Sequence, residues 1–295
     1  MFKKIKYEAD LVKRWFAAVE KNDSNNEGEI DLVLELMYYF DTKSNKKLLN
    51  KFEKLPYSKT FFEQERLRDV VLKGTYLKGS LGRELQEFWN QPTYSKDLVE
   101  DGLKIIKERK NDFTLTKEEK RFWGGIFDEH DLIHFLFKLD TTTLGEITNV
   151  SFTSAKSSRK SFFLIIFFCI LGSLHKLFTD TFNLETLKKK VKEVHTIEFN
   201  HFSIFRLMWE GYTIGKRYPW LLSINWHELL DEPLDKVKND LKMGIDNDFK
   251  LYYKIEEEVK KIHWWIEYGK RTAFEQQILV GRLVRNNGIP FKILP

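Results

Sequence analysis

The sequence predicts an all-α fold, and three observations carry that prediction. Apolar residues recur at helical spacing along nearly the whole chain and almost never alternate. Only six of 295 residues are proline, which leaves room for long helices. No internal repeat and no low-complexity linker divides the chain. A single multi-helix domain over residues 1–245 is therefore expected, with a helical extension over 246–295. A hydrophobic share of 42% is enough for a sizeable core, while 32% charged residues and a net charge of +5 imply neither disorder nor a cationic nucleic-acid surface. No nucleic-acid partner is expected. The one cysteine, Cys169, rules out intrachain disulfides and cysteine-rich zinc sites, and fits a reducing interior compartment.

Taken in order, Phe2, Ile5, Ala9, Val12, Phe16 and Val19 form a helical stripe, and "EIDLVLELMYYF" continues it after the polar loop "NDSNNEG". The N-terminus is basic but lacks a continuous apolar stretch, so no cleaved signal is expected. Helices follow near Lys46–Lys54, Leu81–Asn90, Lys96–Arg109 and Lys117–Leu139. "TSAKSSRKS", Thr153 to Ser161, has the composition of an exposed, flexible loop. The run Phe162–Leu174 gives thirteen largely apolar residues, short of the roughly 18 to 20 a membrane span needs. It predicts a buried helix within Arg159–Phe178, or a lipid-facing surface. Further helices are expected over Leu184–Val194, Phe202–Lys216 and Leu234–Leu241. From Asp246 to Arg285 a long segment of helical period carries Tyr252, Ile255, Val259 and Ile262.

One stretch carries chemistry. In "DEHDLIHFLFKLDTTTLGEI", Asp128 to Ile147, His130 and His134 stand four residues apart, which on a helix stacks both imidazoles on one face. Asp131 lies about 100° round the axis, placed to ligate at the rim or to orient an imidazole. Glu146 follows a threonine-rich turn containing Gly145, so it can return on the next helix and face the pair. Two imidazoles with one or two carboxylates suit zinc, iron or manganese, and spacing does not choose among them. The same histidines also suit ordinary helix packing. His175, His195, His201, His227 and His263 share no ligand spacing and read as structural.

"HDLIH", eleven residues and then Glu146 resemble the H-D-x-x-H-x(11)-E motif of the coenzyme Q biosynthesis protein 4 family. "YLKGSLGRELQEFW", Tyr76 to Trp89, is similar to that family's G-S-L-G-R-E stretch. "GYTIGKRYPWLLSINWHELLDEPLDKVKNDLKM" resembles its C-terminal pattern, and the three occur in the same order. Phe127 stands where the family commonly has arginine, and Asp140 or a neighbouring threonine where it has a turn proline.

The resemblance implies an all-helical protein, often dimeric, that works in ubiquinone biosynthesis beside other quinone-pathway proteins and handles prenylated quinone precursors or another isoprenoid lipid. It implies a cytoplasmic location with peripheral contact on the inner face of the membrane. His130, Asp131, His134 and Glu146 are the implied ligands of a divalent metal, zinc being the usual assignment. The implied reaction is metal-dependent, oxidative or simple, decarboxylation at C1 of a polyprenyl hydroxybenzoate, which would make the chain a carbon–carbon lyase. The alternative is a non-catalytic isoprenoid-binding scaffold with a structural metal. Arg83 is a candidate for an anionic headgroup, with Gly79 and Gly82 permitting close backbone approach; an ion pair of Arg83 with Glu84 or Glu87 is the structural counterpart. An aromatic content of 15% and the run "FFLIIFFCILG" suit an apolar prenyl-binding cavity and a plain core alike. "LKKKVKEVH", Leu187 to His195, suits a solvated face or anionic lipid headgroups.

Overall fold

The computed structural model describes residues 46–92, 94, 115–141, 143–157, 201–243 and 248–257, and contains no strand among them. In chain order the helices are α1 (46–52), α2 (Ser58–Glu63), α3 (Leu67–Lys73), α4 (Leu81–Trp89), α5 (Lys117–Phe137), α6 (Thr143–Ser157), α7 (His201–Arg217), α8 (Leu234–Asp240) and α9 (250–257). Short 3-10 turns at Leu221–Ser223 and Trp226–Leu229 link α7 to α8. Among the described residues no helix is long and apolar enough to cross a membrane.

The longest helix among the described residues, α5, has both ends written into the sequence. Thr116 accepts the Glu119 N–H while the Glu119 carboxylate accepts the Thr116 N–H, a reciprocal cap. At the other end Lys138 adopts a left-handed conformation, φ 49°, and donates its N–H to the His134 carbonyl. Gly124 and Gly125 let side chains of Arg66, Phe61 and Leu222 close on the helix: a methyl at Gly125 would meet Phe61 at 2.5 Å.

Two acids on α5, the buried Asp128 and the half-buried Asp131, are answered by arginines from the start of α3. Arg66 donates Nε (2.9 Å) and Nη2 (2.7 Å) to Oδ1 of Asp128. Arg68 donates Nη1 to Asp131 at 3.2 Å, and Trp89 of α4 donates Nε1 to the same oxygen at 2.9 Å. Removing one partner of such a pair strands a buried charge and costs about 3–5 kcal/mol. These contacts fix α3 and α4 against the C-terminal half of α5.

The "GSLGRE" segment is joined to "WHELLDEPL" by main-chain bonds. Leu81 and Gly82 donate their N–H groups to the carbonyls of Glu232 and Leu230, both at 2.8 Å, and Leu234 donates to Gly79 at 3.0 Å. Helix α4 thus begins with two of its otherwise unpaired N–H groups satisfied by another loop, and Ser80 accepts a third from Arg83. Gly79 has φ +83°, a left-handed turn that suits glycine.

The expected loop at Thr153–Ser161 is corrected for its first five residues, which continue α6 to Ser157; residues 158–161 lie outside the described residues. Thr153, Ser154 and Ser157 are buried. Small residues are needed here because α7 lies directly on α6. Gly211 sits against the Thr148 carbonyl and Ser151, and Gly215 against the Phe152 carbonyl and Ala155. The register advances in the same sense along both helices, so they run parallel.

A main core joins Leu67, Leu85, Trp89, Ile133, Phe137, Phe152, Leu207, Phe249 and Tyr252, drawing on α3 to α7 and α9. A smaller one gathers Phe52, Phe61, Phe122, Ile126 and Trp220. The expected helices before residue 46, at Lys96–Arg109, at Arg159–Phe178 with its apolar run and Cys169, and at Leu184–Val194 lie outside the described residues. So do residues 258–295 of the expected extension. Its opening turns are described, and Tyr252 and Ile255 are buried in the main core.

Candidate metal centre

His130 and His134 rise from the last two turns of α5, and Glu146 from the first turn of α6. The reversal between these helices brings the three side chains together. Nε2 of His134 lies 3.2 Å from Nε2 of His130 and 3.2 Å from Oε1 of Glu146, while Nε2 of His130 lies 3.3 Å from Oε2. Among the described residues these three form a group of potential metal ligands. Bonds of about 2.0–2.1 Å to a tetrahedral ion separate its donors by about 3.3 Å; the two imidazole nitrogens already have that spacing, and each lies about as far from a different oxygen of the Glu146 carboxylate.

The reversal is tight. A methyl on Gly145 would lie 1.9 Å from the Asp140 carbonyl oxygen. Asn149, one turn beyond Glu146, donates Nδ2 to the His130 carbonyl at 2.9 Å and ties α6 to α5 beside the three clustered donors. His134 places Nδ1 3.0 Å from the Leu139 carbonyl. That oxygen can only accept, so the proton sits on Nδ1 and Nε2 presents its lone pair to the cluster.

Electrostatics fit a cation at the centre. Burial lowers the pKa of His134, but the hydrogen bond and charge of Glu146 overcome it and the net shift is upward. For Glu146 burial pushes the carboxyl up, and the two imidazoles hold it well below the ordinary carboxylate value. Lone pairs this close need a positive charge between them, whether a proton or a metal ion. His134 is 1% exposed, His130 25% and Glu146 40%, so the group is closed on one side and open on the other. Catalytic metal sites need such an open position.

Asp131 stands outside this group, its carboxylate held by Arg68 and Trp89. Arg83 lies on the surface of α4, donating to Glu87 at 2.8 Å and Gln86 at 3.3 Å. Gly79 and Gly82 sit at the junction with the 230–234 loop, and Gly82 packs on the Tyr76 ring. Phe127 is buried and packs on Trp123. A cavity lined by Phe61, Arg121, Asp128, Trp226 and His227 contains none of the three clustered donors.

Sequence reasoning passed over Asn149, although its spacing of three from Glu146 puts both on one helical face. It also passed over Tyr94, whose ring stacks near His134 at 5.9 Å between centroids. Burial and the carboxylates of Glu146, Asp131 and Asp140 hold the Tyr94 phenol protonated.

No protein-family model matches the chain, and no curated protein matches it. Among solved structures, the chain is similar to a protein from Nostoc punctiforme provisionally described as a ubiquinone biosynthesis protein. The two share 16% identity with a TM-score of 0.47, over 80% of this chain and 96% of that one.

Proposed function

We propose that His130, His134 and Glu146 hold a divalent metal ion, and that the chain is a metal-dependent decarboxylase acting at C1 of a polyprenyl hydroxybenzoate in ubiquinone-type biosynthesis. The observation that carries the metal is the meeting of two imidazole nitrogens 3.2 Å apart with the Glu146 carboxylate, whose oxygens lie one on each, Oε1 3.2 Å from His134 and Oε2 3.3 Å from His130. The substrate class rests on the H-D-x-x-H-x(11)-E spacing together with "GSLGRE". Zinc suits two imidazoles and a carboxylate; iron and manganese suit the same donors.

Bound there, the ion would draw electron density from a carboxylate or phenolic oxygen and stabilise charge developing on the ring. The chain's own residues set the stage for that. Leu139 fixes the His134 tautomer, and Asn149 holds the two ligand helices in register. Asp131 secures α3 and α4 behind the site rather than entering the ligand group. As carbon dioxide leaves, its bonding pair stays on the ring carbon and a proton must reach that carbon. The open side, beside His130 and Glu146, is where water can deliver it.

The test is metal content and carbon dioxide release. Purified wild-type protein is expected to carry about one divalent ion per chain and to release carbon dioxide from a prenylated hydroxybenzoate in mild detergent, while Glu146→Ala loses most of both. A wild type free of divalent metal, or a Glu146→Ala variant with full metal and full activity, ends the catalytic assignment. Metal without carbon dioxide release favours the scaffold.

A further inference from the structure

We infer that α9 clamps the metal centre, with Tyr252 and Tyr253 as positioning residues that hold the 137–140 turn and, through it, the imidazole of His134. This rests on His134 being a metal ligand. Tyr252 accepts the Asp140 N–H at 2.9 Å, and Tyr253 donates its hydroxyl to the Phe137 carbonyl. Leu139 lies between these two anchor points, and its carbonyl receives the Nδ1 proton of His134 at 3.0 Å. Two phenols therefore bracket the one backbone group that sets the ring's tautomer and direction. The same turn leads into Gly145 and Glu146.

Helix α9 is built to bear that role. Glu210 of α7 accepts the N–H groups of Leu251 (2.8 Å) and Tyr252 (3.1 Å), which would otherwise be unpaired at a helix start. Tyr218 and Arg217 both bind the Asp248 carboxylate just before it. Phe249 is fully buried against Phe137, ring centroids 5.1 Å apart. Both phenols stay protonated at neutral pH: burial pushes Tyr253 up to about 12 and Tyr252 further. Metal-ligating histidines depend on the group that receives their second ring proton. Here that group is itself held by a helix more than 110 residues further along the chain.

The experiment is a Co2+ titration followed by its visible d–d absorption, on wild type, Tyr252→Phe, Tyr253→Phe and the double variant. Trp226→Phe is the control, since it removes a comparable buried bond, Nε1 to the Leu221 carbonyl at 2.8 Å, away from the turn. Tyr252→Phe is expected to weaken Co2+ binding about tenfold and the double variant up to about a hundredfold, with a shifted d–d band, while Trp226→Phe keeps wild-type affinity and band. Wild-type affinity and spectrum in both single variants overturns the clamp and leaves the metal site standing. Failure of the wild type to bind Co2+ ends the metal reading and the clamp with it. If Tyr252→Phe does not fold, Tyr253→Phe decides by the same criterion, because its partly exposed ring can keep its packing.

Discussion

A single added methyl is most damaging at Gly145. Its Cβ would fall 1.9 Å from a backbone oxygen and 2.6 Å from Oδ1 of Asp140, so the turn itself must move. Gly124 offers the contrast, since there the nearest atoms to a methyl belong to the Arg66 side chain at 3.1 Å, where a shift of a few tenths of an ångström suffices and no backbone need move. Gly145→Ala is expected to cost about 1–3 kcal/mol in urea unfolding and to weaken metal binding, because Glu146 is the next residue; Gly124→Ala should do far less. Equal costs at the two positions would contradict the tight-turn account. At this scale the sequence is informative where side chains act through helical spacing: His130, His134 and Glu146 meet because four residues make one turn and a short reversal follows. The position of Asp131 round the helix left ligand and orienter both open, since an angle does not say which neighbour waits there. Arg68 and Trp89 were those neighbours. The Leu139 carbonyl is out of reach of any motif, being a backbone atom common to every residue.

Among elements, the pairing of α6 with α7 shows how local propensity is overridden. Thr153, Ser154 and Ser157 carry loop-like composition, yet they belong to a buried helix face. Part of the polarity of this face is absorbed locally: Thr148 and Thr153 donate to carbonyls one turn back at 2.7 and 3.1 Å, and Ser154 donates to the Ser151 carbonyl at 2.7 Å, whereas the buried hydroxyls of Ser151 and Ser157 have no partner among the described residues. Their size is what the partner requires, because Gly211 and Gly215 bring the α7 backbone against α6. Periodicity reports which residues are apolar, and this face is built from small polar ones, so it gave no helical signal. Gly215→Val would place Cβ 2.3 Å from the Phe152 carbonyl. We expect a loss of about 1–3 kcal/mol or more in urea unfolding, against under about 0.5 kcal/mol for substitution at exposed Thr213. Indistinguishable midpoints for the two variants would mean the helices are not in close contact.

For the molecule as a whole, the proposed metal site would couple folding, metal and protons. The helical class was legible because a period near 3.6 runs through long elements such as α5 and α7, whereas the pairing of α9 with the 137–140 turn spans more than 110 residues and leaves no local trace. Any ion held only by the folded state stabilises it by mass action, about 2.7 kcal/mol at a free concentration 100 times Kd, so chelation should lower Tm and a divalent metal restore it. The size of that shift should depend on pH with a definite sign. In the metal-free protein the His134–Glu146 pair contributes below the ordinary histidine value and is lost as pH rises through the raised pKa of His134. Its carboxylate side contributes above the ordinary glutamate value and is lost as pH falls through the lowered pKa of Glu146. The metal-free form is therefore best supported at mildly acidic pH. A metal must displace the proton that His134 holds there, so affinity falls about tenfold per pH unit below the raised value and levels off above it. The metal-induced rise in Tm is expected to be small near pH 6 and to grow toward pH 8. A rise of equal size at both ends, measured by calorimetry with and without chelator, would mean that the stabilising ion binds without displacing a proton from His134 and so sits elsewhere.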